Sequence, residues 1–333
     1  MSTVSELLGV DLYRFCSYKG MSTYKLSDTI LRRVYPLVKD NAKLRAEGIT
    51  KDRLRTIIRD NRAVKLARGQ YISAHNWQNL NITEKHLARV IAYSRVLDEP
   101  VFTHQSAAIL HGFPVLEVPV SVHVYSQSGS SNEALTRHND SYARDASITR
   151  FLAGITATSP IETVVGCARV LQVDEAVVVA DGALSRQQTE TRINYWELHH
   201  ALMNSPRKGS ARAREVARLM SDKSDSPGET LTRLRLQEYG LFPVEQYFVK
   251  TDLGNFVSDF AFEQLGVLIE FDGRVKQTDK TMNPDGWVVD REKERENALM
   301  RAGWRLLRLR WEHVRGRGSP WVLESALRSF GIL

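Results

Sequence analysis

Cysteine is nearly absent from this chain: Cys16 and Cys167 are the only two in 333 residues. Two cysteines cannot make a disulfide framework, and a lone buried thiol is the ordinary expectation for each. No C-x-x-C or H-E-x-x-H spacing occurs, nor any glycine-rich loop built to cradle phosphate, so the common zinc and nucleotide signatures are excluded. Long apolar runs are also missing, and the residues after Met1 lack the pattern of a secretory signal. A cytoplasmic protein with no membrane partner is expected. There is no internal repeat or low-complexity tract. What the chain does have is ordinary apolar content, 42%, enough at this length to bury two or three cores.

Its charge is unevenly placed. The net is +7, but residues 1–100 alone carry 18 Lys and Arg against 10 Asp and Glu. Residues 101–205 are acidic, with 6 against 10, residues 206–228 basic, with 6 against 3, and residues 229–333 balanced at 16 each. A phosphate backbone is attracted to such a basic third, and binding through it falls as salt rises.

The order of elements in that third matches its charge. Residues 27–46 carry a helical apolar stripe (Ile30, Leu31, Val34, Leu37, Val38), with a break or kink implied at Pro36. Thr50 is placed to cap a second helix whose apolar residues are Leu54, Ile57 and Ile58, while Lys51, Arg55, Arg59 and Arg62 lie largely off that face. A short basic hairpin over 64–72 follows, bearing Lys65 and Arg68. Helix, turn, helix and basic hairpin is the order of a winged helix, in which the second helix enters the major groove and the hairpin touches backbone. These six basic residues are the expected DNA contacts.

The C-terminal third is organised around acids. Residues 256–262 alternate as a strand carrying Asp259, and Glu263-Gln264-Leu265-Gly266 forms a turn. Val267-Leu268-Ile269 then opens a more uniformly apolar strand that ends Glu270-Phe271-Asp272-Gly273. Spacing of two puts Glu270 and Asp272 on one face. Two like charges side by side on a buried strand are costly unless something compensates them, and a divalent cation held by oxygen ligands would do so. Upstream, a helix starting at Pro227 carries Glu229 in its first turn. Downstream, a Lys/Arg/Glu-rich helix over 291–301 precedes a last strand over 304–311.

At Glu229, Asp259, Glu270, Asp272 and Lys276, and in the charged helix before Gly303-Trp304, the chain resembles the PD-(D/E)xK restriction-endonuclease-like superfamily. The closest match of pattern is to its Vsr-like branch, over residues 227–315. That resemblance implies Mg²⁺ or Mn²⁺ bound by Asp259, Glu270 and Asp272, and catalytic roles for these three with Glu229 and Lys276. The chain departs from the usual pattern where the superfamily lysine, two residues after the glutamate, is Asp272. Lys276 stands where a histidine is common, and its expected part is to orient water or pair with phosphate. In the middle region, 103–114, the strand at 118–125, and the segments 158–165 and 175–184 together with the winged helix look like the AbiEi-type antitoxins of type IV toxin–antitoxin systems. His104 and His111, seven apart, read as core or capping histidines, and His199-His200 as surface.

The expected architecture is therefore multi-domain α/β. It comprises a winged-helix domain (1–100), an AbiEi-like α/β domain (101–204), a basic linker (205–226) with a short helix over 211–220, and a restriction-endonuclease-like domain with a central mixed sheet (227–333). The expected function is a metal-dependent DNA endonuclease in phage defence or a toxin–antitoxin-related system, with a homodimer needed to cut both strands. Two alternatives remain: a DNA-binding regulator or antitoxin whose nuclease-fold domain is inactive, and an interaction protein whose acids form a salt-bridge network.

Overall fold

A computed structural model describes residues 27–333 except 127–128, 140–146, 189–191, 206–207, 274–286 and 316–319. Cys16, Lys276 and the start of the chain lie outside the described residues. The chain is mixed α/β and divides into two compact units, one over 23–220 and one that includes 221–333.

In the first unit, α1 (Ser27–Val34) is followed by a 3-10 turn at Tyr35–Leu37, strand β1 (Lys39–Asp40) and α2 (Asn41–Ala46). The single helix expected over 27–46 is thus divided. Pro36 ends its first part, and Asp40 caps α2 by accepting from Lys43 N–H at 2.7 Å. Next come α3 (Lys51–Arg59), β2 (Ala63–Ala67), β3 (Gln70–Ser73), α4 (Ala74–Asn79) and α5 (Ile82–Ser94). Thr50 caps α3 as its sequence suggests, accepting from Arg53 N–H at 3.2 Å. An Asn81–Glu84 capping box starts α5, each side chain bonded to the other's backbone N–H at 3.0 Å. The first sheet runs β1-β3-β2, antiparallel throughout.

The unit continues with β4 (Val101–Phe102), α6 (His104–Leu110), β5 (Val122–Tyr125), β6 (Leu135–His138), β7 (Ile148–Arg150) and β8 (Thr156–Thr158). Their sheet has the order β6-β5-β4-β8-β7. The strand expected from 118 begins only at Val122, and Val120 is left exposed. One apolar core joins Leu31, Val34, Ile72, Leu87 and Ile91 to Phe102, Leu110, Val124 and Ile155. It runs across residue 100, so the first two expected domains share a core rather than folding around separate ones.

Four helices complete the unit: α7 (Pro160–Val170), α8 (Val173–Leu184), α9 (Tyr195–Met203) and α10 (Ser210–Leu219). The last lies in the stretch expected as a linker. Its Ala213, Val216 and Ala217 are buried, and Arg212 donates to the Val170 and Leu171 carbonyls, so this segment is packed structure up to Met220.

The second unit runs α11 (Pro227–Glu238), β9 (Val244–Thr251), β10 (Gly254–Phe262), β11 (Val267–Phe271), α12 (Trp287–Arg301), β12 (Arg305–Leu309), α13 (Trp311–Val314) and α14 (Pro320–Ser329). Its sheet is β12-β11-β10-β9, with β11 and β12 parallel and the other pairs antiparallel. Each face is covered. Phe260, Val267, Ile269, Leu307 and Leu309 pack with Leu236, Leu323 and Leu327. Val249, Ala261 and Leu268 pack with Leu299 of α12. The second face carries the candidate site.

Candidate functional site

Antiparallel register fixes where the acids stand. Phe260 pairs with Ile269 and Ala261 with Leu268; Asp259 precedes Phe260 and Glu270 follows Ile269, so the two acids stand just beyond this paired stretch on neighbouring strands. Glu270 lies two residues past Leu268, on the face covered by α12. Both acids are buried, Asp259 at 1% exposure and Glu270 at 8%. Asp259 Oδ2 accepts the Phe271 N–H at 2.8 Å, which ties the first strand's acid to the end of the second strand.

Glu270 has a cation on it. Both terminal nitrogens of Arg295, from α12, donate to the single oxygen Oε1, one of them at 3.0 Å. Arg295 Nε is also 3.9 Å from Glu292 Oε1, and its guanidinium lies 5.6 Å from the Phe256 ring centre. Arg308, which sits in register beside Glu270 on β12, instead pairs with Glu292 and with Glu296, the latter at 2.6 Å. The charged helix turns three of its charges onto the sheet, through contacts between residues 16 and 25 positions apart that helix spacing does not reveal. Among the described residues, four carboxylates (Asp259, Glu270, Glu292, Glu296) stand in this layer with two guanidiniums (Arg295, Arg308).

Glu229 is buried at 3% exposure, and its oxygens are held locally. They accept from Ser226 Oγ at 2.9 Å, Asp225 N–H at 2.8 Å and Gln246 Nε2 at 3.1 Å. Glu229 therefore closes the first turn of α11 and reaches the edge strand. Gln246 falls between the Tyr247–Ser258 and Glu245–Phe260 pairs, and its φ of +53° is uncommon for a residue with a side chain. Gly228, next to Glu229, has no substitute: an added Cβ would lie 1.9 Å from the Phe271 ring. Asp272 stands one residue past the end of β11, half-buried, and donates its N–H to the Leu309 carbonyl at 2.8 Å.

Among the described residues no group of three or more His, Cys, Asp or Glu is placed to hold a metal ion, so the expected ligand trio of Asp259, Glu270 and Asp272 is not assembled there. Asp259 Oδ2 is taken by the Phe271 N–H and Glu270 Oε1 by Arg295.

The six expected DNA contacts are all exposed: Lys51, Arg55 and Arg59 on α3, Arg62 after it, Lys65 on β2 and Arg68 at the hairpin turn. Arg55 pairs with Asp52 at 2.9 Å and Arg59 with Asp60 at 3.2 Å, contacts that water leaves weak and easily exchanged.

Three histidines of the first unit, His104, His123 and His138, pack ring against ring. His104 stacks on His138 with ring centres 3.6 Å apart, and His138 Nε2 is 3.2 Å from His123 Nδ1. His86 donates Nδ1–H to the Pro119 carbonyl at 2.9 Å and meets Ser106 Oγ at 2.9 Å through Nε2. His111 donates Nε2–H to the Thr158 carbonyl at 2.8 Å. Burial pushes His86 and His111 down to about 4 and His123 to about 3, and holds His104 well below its usual range. The core reading of His104 and His111 agrees with this burial, whereas the His104–His138 stack had no signal in sequence spacing. Cys167 is buried, and burial raises its thiol pKa, so it is not a poised nucleophile.

No family model matches this chain, and no curated protein matches it. No helix among the described residues is long and apolar enough to cross a membrane.

Proposed function

We propose that this protein binds duplex DNA through a winged helix formed by α1 to β3 and hydrolyses phosphodiester bonds at a restriction-endonuclease-type site in its C-terminal unit. The observation that carries the hydrolase reading is the presence of two buried acids, Asp259 and Glu270, on neighbouring strands of the mixed sheet. The element order α11-β9-β10-β11-α12-β12 supports it, because this order puts one acid on each central strand and one in the preceding helix. For the DNA-binding half, support comes from the β1-β3-β2 sheet and the six exposed basic side chains on the second helix and hairpin.

In this reading Asp259 and Glu270 would hold Mg²⁺ or Mn²⁺, with Asp272 as a third ligand or supporting partner. Such an ion would lower the pKa of a water and take up charge developing on the phosphate. Glu229 acts at one remove, fixing α11 and holding Gln246 of the edge strand. Lys276, outside the described residues, orients the attacking water or pairs with the phosphate. Cutting both strands calls for two copies. A place in phage defence is the setting that the AbiEi-like resemblance suggests.

A second reading is favoured by the Arg295–Glu270 pair and by the engagement of Glu229 in its helix cap: a DNA-binding regulator or antitoxin whose nuclease-type unit does not cut. Purified protein incubated with duplex, single-stranded, mismatched and branched DNA, in Mg²⁺, Mn²⁺ or EDTA, separates the two. Cleavage lost in EDTA and in Asp259→Ala supports the hydrolase. Tight binding with no cleavage under any condition supports the regulator.

A further inference from the structure

The half-buried arginines of the second unit are met by acids: Arg235 by Glu238, Arg295 by Glu270, and Arg308 by Glu292 and Glu296. One face of the first unit does otherwise. Lys85, Arg89 and Tyr93 follow one another at a spacing of four on α5, which sets them along one side of the helix. The Lys85 ammonium lies 5.6 Å from the centre of the Trp77 ring on α4, and the Arg89 guanidinium 4.9 Å from it. Trp77 and Tyr93 pack against the first core, so the cations rest on a fixed floor. Arg137 on β6 donates to Ser126 Oγ at 3.2 Å. Burial raises the Tyr93 phenol, and Arg89 and Arg137 both act against that shift, so both guanidiniums stand near this ring.

Lys85, Arg89 and Arg137 are half-buried, and among the described residues none of them pairs with a carboxylate. Contact with a ring offsets only part of the cost of holding cations partly out of water, and the three also repel one another. An anion supplies what is missing. Guanidinium forks and ammonium groups both suit phosphate oxygens. Trp77 already carries two cations on its ring, so this face offers charge to a backbone more than a stacking surface to a base.

Resting on the DNA-binding reading above, we propose that Lys85, Arg89 and Arg137 form a second phosphate-binding site on the first unit, apart from the basic residues of α3 and the hairpin. It grips the duplex backbone without regard to sequence.

Fluorescence anisotropy of labelled duplexes with the full chain, over a series of salt concentrations, tests this. The proteins are wild type, Lys85→Gln with Arg137→Gln, the triple variant that adds Arg89→Gln, Arg89→Lys alone, and Arg55→Ala with Arg59→Ala. Each lost phosphate contact should lower the salt slope by about 1, so the double patch variant should lose about 2 and the triple about 3. The loss should be the same on duplexes of unrelated sequence, and Arg89→Lys, which keeps the charge, should stay near wild type. Thermal melts report folding. Should the triple variant not fold, the double variant leaves Arg89 on Trp77 and carries the same expectation. A wild-type slope in the folded patch variants, with a reduced slope in Arg55→Ala with Arg59→Ala, would overturn the second site and leave the winged-helix reading standing. Calorimetry with inorganic phosphate identifies the source of the anion: binding of the free ion, lost in the patch variants while their DNA slope is unchanged, would also overturn the proposal. Absence of duplex binding by wild type would remove the DNA-binding reading and this inference together.

Discussion

The two units handle charge in opposite ways. In the first, the cations that matter stand in water: Lys51, Arg55, Arg59, Arg62, Lys65 and Arg68 are all exposed, while the buried titratable cluster is histidine held neutral. In the second, Asp259, Glu229 and Glu270 are buried, and Arg295 reaches in to meet the last of these. Exposed charge is available to a large polyanion and costs the fold little. Buried charge is costly, and in the second unit it is kept beside a guanidinium.

The largest expected effect breaks this contrast in the second unit. Asp259→Ala should reduce metal-dependent cleavage to background while DNA binding stays intact or improves, since removing a carboxylate removes repulsion of phosphate. Lys276→Ala should reduce cleavage less completely, because activation of water by the ion persists without it. Gel-based cleavage and fluorescence anisotropy on one substrate measure both quantities. In the first unit, Arg55→Ala combined with Arg59→Ala should weaken duplex binding about tenfold or more and lower the salt slope by about 2, one for each lost phosphate contact. Cleavage at saturating DNA should survive. An unchanged slope would place the DNA on another surface.

Acid separates the units by a smaller effect. The folded pKa values of His86, His111 and His123 lie below the ordinary histidine range. The unfolded chain therefore binds protons that the folded unit refuses, and stability is full above about pH 6.5 and declines as pH falls toward 4. Tryptophan fluorescence and histidine NMR signals during acid titration should show unit 23–220 opening first, and Asp or Glu titration in the other unit preceding it would contradict this. The smallest of these effects is local. Gly228→Ala should destabilise the C-terminal unit by about 1–3 kcal/mol, the usual cost of overpacking, because the new methyl meets the Phe271 ring. Phe271→Ala in the same chain should recover part of that loss in a denaturant titration.

How far the sequence could be read followed the range of the interactions. Caps and turns are local, so the Thr50 cap, the hairpin of β2 and β3, the helix opening at Pro227 and the two acid-bearing strands were legible from spacing. The division of residues 27–46 was only half legible. Pro36 announces a break, but β1 exists because Lys39 pairs with Tyr71, and no window along the chain contains that pair. The boundary expected near 100 failed for a similar reason, since Leu31 and Ile72 find their packing partners in Phe102 and Val124. The basic stretch after 205 read as a tether because its charges dominate its composition, while its small apolar residues at helical spacing pack the helix down. The Arg295 contact was not legible, because sequence spacing carries no sign of a carboxylate 25 residues earlier on a strand. The sequence thus located the acids and missed the cation that holds one of them.

The most direct test of the central claim places both functions in one tube. A labelled DNA duplex is titrated with wild type or Glu270→Gln in EDTA to record binding, and Mg²⁺ is then added to the same samples to record cleavage. Equal binding by the two proteins, with product appearing only in the wild-type samples, is the expected result. Binding by wild type with no product in Mg²⁺ or Mn²⁺, on a substrate panel that includes mismatched and branched DNA, would contradict it.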